Sequence, residues 1–248
     1  MTLDDQGGRD LDPRWEGIVV VFNATPDTQT QTVPALAGDP APSVERGSIV
    51  ATVSGCHDCH TPLMMGKDGP EPDMTRGHCI LAHGFESGPD ATKVTALAET
   101  AERLGWTCER PDYTDLDALQ DAGDLGDVAG RVRRLHGLAS AAAARGPLVL
   151  AGSSLGAWIS GHVSLQVQVA GLFLMAPPVR MDAAHPLDAA AVPTSIIHGW
   201  DDDLCRPDDV LAWAASRRAR LLMVDDGHRL SRHVQASAEA FGQLLAVL

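Results

Sequence analysis

Three things are scarce in this chain of 248 residues: positive charge, long apolar runs, and a basic, apolar beginning. Only 19 Lys and Arg stand against 33 Asp and Glu, a formal net charge of −14. Such a surface repels phosphate backbones and anionic lipid, so neither nucleic acid nor membrane is an expected partner. No stretch is long and apolar enough to span a bilayer. The opening MTLDDQGGRD has neither the basic start nor the apolar run of a secretory signal. The cytoplasm is therefore the expected compartment, and the five cysteines (Cys56, Cys59, Cys79, Cys108 and Cys205) are expected as reduced thiols. What is plentiful is ordinary: 44% hydrophobic and 21% charged residues, the balance of a globular domain.

The chain changes character near residue 78. Residues 1–77 hold eight of the 16 prolines, and they are rich in Pro, Gly and Thr without helical or strand period. They read as a loosely ordered extension, with a strand at 17–22 and a short helix near 43–54. Residues 78–248 read as one domain. Short apolar runs at 79–83, 108–113, 148–152, 171–177, 194–199 and 220–225 alternate with amphipathic stretches. Val94, Leu97, Ala98, Ala101 and Leu104 form one helical stripe in 90–104, with Asp90 as its N-cap. Val128, Val132, Leu135 and Leu138 form a second, in 127–140. Val234, Ala238, Phe241, Leu244, Leu245 and Leu248 form a third, after a Ser231 cap. Six strands alternating with helices predict an α/β fold, a mostly parallel six-stranded sheet covered on both faces.

Three features fall at strand ends in chain order. In PLVLAGSSLGAW, an apolar strand runs into Gly152-Ser153-Ser154-Leu155-Gly156 and then a helix. This G-x-S-x-G spacing builds a sharp turn that presents Ser154 at the top of a sheet. In TSIIHGWDDDLCRP, a strand ends and three aspartates follow. Spacing favours Asp202, over the alternatives Asp201 and Asp203, as the carboxylate that orients a histidine; the plain reading of any one of the three is a solvated turn or cap. In VDDGHRL, His228 follows the last strand and can reach back over the sheet to Ser154. The order Ser, Asp, His is that of one serine-hydrolase arrangement and not of two others. The loop LAHGFESGP after the first strand supplies one oxyanion-hole amide, assigned to Phe85. The residue after the nucleophile, Leu155, supplies the other. His83 reads as a brace of that loop.

Taken together, LAHGFESGPDATKVTALAETAERLG, LAGSSLGAW, LFLMAPP, HGWDDDLC and DDGHRLS resemble the small bacterial α/β-hydrolase esterases with little or no cap domain. The resemblance covers residues 79–248 and implies a carboxylic-ester hydrolase that uses no metal and no organic cofactor. It implies that Ser154 attacks, that His228 takes and returns the proton, and that Asp202 orients His228. Ala157 stands where the family often has glycine, and Cys205 where valine is usual; both read as changes of packing. The one insertion at the strand tops, PPVRMDAAHPLDAAAVP (177–193), is too short for a full lid. An open, shallow site for short acyl chains is expected, with Arg180, Asp182, His185 and Asp188 on a polar rim. A hydrolase-fold module that binds without catalysis is the weaker alternative.

A different chemistry is spelled upstream. Cys56-His57-Asp58-Cys59-His60 has the C-x-x-C-H spacing of a c-type haem attachment. The stretch around it, about 47–76, resembles part of a bacterial c-type cytochrome. That would imply thioether bonds from Cys56 and Cys59 and His60 as axial ligand, in an electron-transfer protein. The resemblance ends where the first hydrolase strand begins, with no flanking helices to wall a haem. IVVVFNATPDTQTQTVPALAG, about 17–38, resembles part of the C-terminal domain of pullulanase-type glucosidases. Residues 1–77 are therefore expected to be fragments of other coding sequences joined ahead of a hydrolase. A linker with a chance C-x-x-C-H is the plain alternative. A zinc or redox site at Cys56, His57, Cys59 and His60 is disfavoured, because ligands so crowded in sequence cannot readily surround a tetrahedral ion.

Overall fold

The computed structural model describes residues 75–119, 124–181 and 185–248, together with the backbone of four short strands before them. The chain divides into two compact units, Met1–Asp73 and Met74–Leu248. In the first, Thr2–Leu3 pairs antiparallel with Ile18–Val19, and Leu63–Gly66 with Gly69–Pro72. The strand expected at 17–22 is thus present at Ile18–Val19. The helix expected near 43–54 and the Cys56–His60 motif lie outside the described residues.

The second unit is built on a six-stranded sheet. Its strands are β1 (Gly77–Ala82), β2 (Trp106–Glu109), β3 (Leu148–Ser153), β4 (Gly171–Met175), β5 (Thr194–Gly199) and β6 (Arg220–Val224). They lie in the order β6-β5-β4-β3-β1-β2, and every pairing is parallel. The helices are α1 (Thr92–Arg103), α2 (Thr114–Asp117), α3 (Val128–Ala143), α4 (Leu155–Ser164), α5 (Pro207–Arg217) and α6 (Val234–Leu245). No described helix is long and apolar enough to cross a membrane.

The period-two alternation of a strand explains the layers. Ile80, Ala82, Leu148, Leu150, Leu172, Leu174 and Ile196 point to one face, where they meet Leu135 and Ala139 of α3, Ile159 of α4 and Val210 of α5. Cys79, Leu81, Val149, Ala151, Phe173, Met175 and Ile197 point to the other, against Val94, Leu97 and Ala101 of α1 and Phe241 and Leu244 of α6. Strands β3 and β4 are buried along their whole length, which is why they read as unbroken apolar runs. Each fully buried Leu, Ile or Phe contributes about 1.5–3 kcal/mol.

Local signals explain where expectation and structure part. The strand expected at 108–113 lies at Trp106–Glu109, with Tyr113 instead a buried residue preceding α2. Asp90 does not cap α1. A turn closed by the Ala91 amide on the Gly88 carbonyl makes Ala91 the N-cap, and the Asp90 carboxylate faces Arg110 at 3.3 Å. Ser231 does not cap α6 either. It sits in a turn bounded by hydrogen bonds of Leu230 to Gly227 and of His233 to Leu230, so the helix begins at Val234.

Candidate active site

The site forms where β3 breaks into α4. Ser154 adopts φ 53° and ψ −120°, a left-handed conformation that an L-residue takes only when its surroundings impose it. Two close approaches impose it. A side chain at Gly152 would collide with the Gly156 carbonyl, and one at Gly156 with the Ala82 carbonyl. The Ser154 amide continues the β3–β4 ladder by donating to the Met175 carbonyl at 2.9 Å, and its own carbonyl receives the Ala157 and Trp158 amides of α4. The residue is half-buried, so its hydroxyl faces outward at the C-terminal edge of the sheet.

The loops after β5 and β6 bring two more side chains to it. They are laced together by the Trp200 amide on the Val224 carbonyl and the Asp201 amide on the Asp226 carbonyl. A side chain at Gly199 would strike the Asp226 carbonyl, so only glycine lets the loops close this far. His228 Nε2 lies 2.8 Å from Ser154 Oγ, and its Nδ1 lies 2.8 Å from Asp202 Oδ2. The partners set the tautomer: Nδ1–H donates to the carboxylate, and Nε2 accepts from the hydroxyl. Asp202 Oδ1 accepts the amides of Leu204 and Cys205 at 3.0 and 2.8 Å. Burial opposes ionisation of Asp202, yet the His228 ring and the Cys205 amide hold its carboxyl below the ordinary value. Asp201 and Asp203 are exposed.

A buried brace holds the loop after β1. Gly84 packs its backbone against Ser153 and Ser154. Arg131 of α3, fully buried, donates from Nη1 to the His83 carbonyl at 3.0 Å and from Nη2 to the Gly84 carbonyl at 3.2 Å. Its charge is met by Asp117, whose Oδ1 accepts from Nε at 2.6 Å and whose Oδ2 accepts the Glu86 amide at 3.2 Å. His83 donates from Nδ1 to the Gly84 carbonyl and accepts the Tyr113 amide at Nε2. Burial pushes its pKa down, in keeping with a neutral ring. Phe85 therefore sits in a loop clamped on both sides. Leu155 opens α4, where an amide has no carbonyl one turn earlier to receive it.

The structure brings the expected Ser154, Asp202 and His228 together, and four residues that the sequence did not single out hold them. Arg131 and Asp117 form the brace. Asp226 accepts the amides of Gly227 and Arg232 and the His233 ring, which shapes the loop carrying His228. His198, fully buried, donates from Nε2 to the Cys205 carbonyl and lies 3.5 Å from Asp202 Oδ2. Burial lowers its pKa.

The expected polar rim is partly turned away. Arg180 pairs with Asp209 at 3.3 Å and Asp188 with Arg217 at 3.2 Å, both on α5, while Asp182 lies outside the described residues. A cavity of about 700 Å³ lies beside the insertion, lined by Leu125, Val128, Val132, Trp158, Met181 and His185 among others. Trp158 stands one helical turn past Ser154.

The molecule is similar to known proteins along most of its length. A family model for the C-terminal domain of pullulanase-type alpha-1,6-glucosidases matches residues 1–48, overlapping the upstream resemblance. A model for the alpha/beta hydrolase domain matches residues 75–246. A solved structure from Xanthomonas campestris pv. campestris, described as a hydrolase of the alpha/beta superfamily, is 66% identical over 70% of this chain and 100% of its own, with a TM-score of 0.69. A second protein of that organism, a serine hydrolase without lid, shares the fold at 20% identity over 75% of this chain and 93% of its own, TM-score 0.54. An esterase from Pyrococcus furiosus shares it at 15% identity over 77% and 94%, TM-score 0.53. No curated protein matches. A parallel sheet with a serine elbow at its centre, and a family model spanning it from the first strand to the last helix, lead to one conclusion: this chain belongs to the α/β-hydrolase family.

Proposed function

We propose that the protein is a serine hydrolase that cleaves carboxylic esters of short acyl chains through an acyl-enzyme. The observation that carries this reading is the unbroken chain from Ser154 Oγ through the His228 ring to the buried Asp202 carboxylate. In the first half-reaction Ser154 Oγ attacks the ester carbonyl carbon while His228 Nε2 takes the hydroxyl proton. Asp202 stabilises the imidazolium without itself taking a proton. The amides of Phe85 and Leu155 receive the charge that develops on the carbonyl oxygen. His228 returns the proton to the departing alcohol, and water repeats the sequence to release the acid.

Short acyl chains are favoured by the brevity of the insertion at 177–193 and by the likeness to a hydrolase without lid. The largely apolar cavity beside Trp158, which stands one helical turn past Ser154, suits an apolar group of the ester. A series of aryl esters of increasing acyl length, assayed beside a serine-directed covalent probe, tests the reading. Ser154→Ala should lose labelling and about 10⁶-fold in turnover, with an unchanged fold. Wild-type turnover in that variant would end the proposal.

A further inference from the structure

A second chemistry is latent at the same place. A carboxylate oxygen of Asp202, the sulfur of Cys205 and a ring nitrogen of His228 all lie within 4.8 Å of one another. The ester mechanism uses the Cys205 backbone amide but gives its thiol nothing to do. Burial and the neighbouring Asp202 charge push that thiol up to about 12, so it is inert as a nucleophile. A divalent cation reverses this, because coordination removes the thiol proton outright.

We propose that Asp202, Cys205 and His228 form an inhibitory binding site for a thiophilic divalent cation of the Zn²⁺ type. The donor set is one carboxylate oxygen, one thiolate and one imidazole nitrogen. Zinc takes these at roughly 2.0–2.3 Å and is commonly held by three protein ligands with a fourth position open to water. Contraction of the cluster by about an ångström satisfies those lengths. Hard cations such as Mg²⁺ find a single anionic oxygen here and are excluded. His198 does not compete as a ligand, since its Nε2–H is committed to the Cys205 carbonyl. Leu204, 72% exposed, and the exposed Asp203 put the loop that carries Cys205 at the protein surface.

Inhibition follows from proton bookkeeping. The ring nitrogen facing Asp202 is Nδ1. When the cation takes the Nδ1 lone pair, the ring proton resides on Nε2 and the Cys205 proton leaves to solvent. Ser154 Oγ then faces a donor where it needs an acceptor, so no base remains for its hydroxyl. This inhibition rests on the catalytic reading above; the binding does not.

The test uses the full chain carrying Cys56→Ser and Cys59→Ser, which silences the upstream thiols, with and without Cys205→Val. Cys205→Ala is the second variant, in case valine disturbs folding. Cys79 and Cys108 are kept throughout as a constant background. Cd²⁺ titration should give a thiolate charge-transfer band of one equivalent that disappears with Cys205. The Zn²⁺ concentration for half-inhibition, each protein measured against its own uninhibited rate, should rise at least tenfold when the sulfur is removed, with Mg²⁺ inert. Absence of a Cys205-dependent band overturns the site and leaves the catalytic reading intact. A band without inhibition overturns the inhibitory role, because the ion then leaves the His228 ring untouched, and leaves the catalytic reading intact. Equal Zn²⁺ inhibition with and without the sulfur places the ion elsewhere and overturns the proposal.

Discussion

The two flanks of Ser154 are built on opposite plans. On one flank His228, partly exposed, links the serine to Asp202 through two hydrogen bonds of 2.8 Å. On the other, a fully buried Arg131 and a nearly buried Asp117 hold the loop of Gly84 and Phe85 by five hydrogen bonds to its backbone and to each other. In the proposed mechanism the first flank passes a proton back and forth, through a ring nitrogen that faces the serine hydroxyl. In the same proposal the second presents dipoles that do not reorganise as charge develops, and its charges stay locked in a buried pair. The proposed mechanism thus separates the groups that move protons from the groups that hold still.

The largest break in that comparison comes on the proton flank. Asp202→Asn keeps the shape but no longer enforces the Nδ1–H tautomer of His228. A loss of about 10⁴ in kcat is expected, measured by steady-state hydrolysis of a short aryl ester. Retention of activity there, with loss at Asp201 or Asp203 instead, would reassign the acid.

The static flank should respond differently. Arg131→Met strands a buried carboxylate at Asp117, and about 3–5 kcal/mol of stability should go, read as a lower denaturant midpoint. The loop also loosens, so kcat should fall roughly tenfold to a hundredfold, less than the 10²–10³ of a deleted oxyanion donor. The double variant Arg131→Met with Asp117→Leu removes both charges and should regain much of the stability but little of the kcat. Full recovery of kcat along with stability would mean that the pair serves folding alone.

The smallest effect is one of pH, and it lies behind the proton flank. Burial holds the folded-state pKa of His198 below its ordinary 6.5. As pH falls below that value the unfolded chain takes up a proton there and the folded chain does not, so folding weakens until the folded-state value is reached. His198→Asn should flatten this part of the melting curve by a few degrees, at about 2–4 °C per kcal/mol. An unchanged pH slope would show that the folded protein accommodates a charged ring beside Asp202.

These two flanks were not equally legible in the sequence. The proton flank could be read because each of its side chains follows an apolar strand and obeys a fixed chain order. The brace could not, because Asp117 sits in the four-residue α2 and Arg131 in the middle of α3, and no short motif joins them. Only burial reveals that this arginine differs from its neighbours, the exposed Arg133 and the half-buried Arg134. The helix α5 escaped notice for a related reason: only Val210 and Ala214 are buried in it, too few to make a stripe. The caps expected at Asp90 and Ser231 failed because tight turns, closed by backbone hydrogen bonds three residues apart, moved both helix starts downstream.

Strand β6 is an edge, paired only with β5, and of its five residues Val224 alone is buried. His228 hangs from it by four residues, whereas Ser154 is anchored at the end of the wholly buried β3. Openings of lowest free energy begin at such edges. Backbone amides of β6 should therefore exchange with deuterium well before those of β3, and hydrolysis should fade at denaturant concentrations where the far-ultraviolet signal is still native. The site would then switch off by shedding its histidine first, while the serine remained in place on a sheet still folded around it.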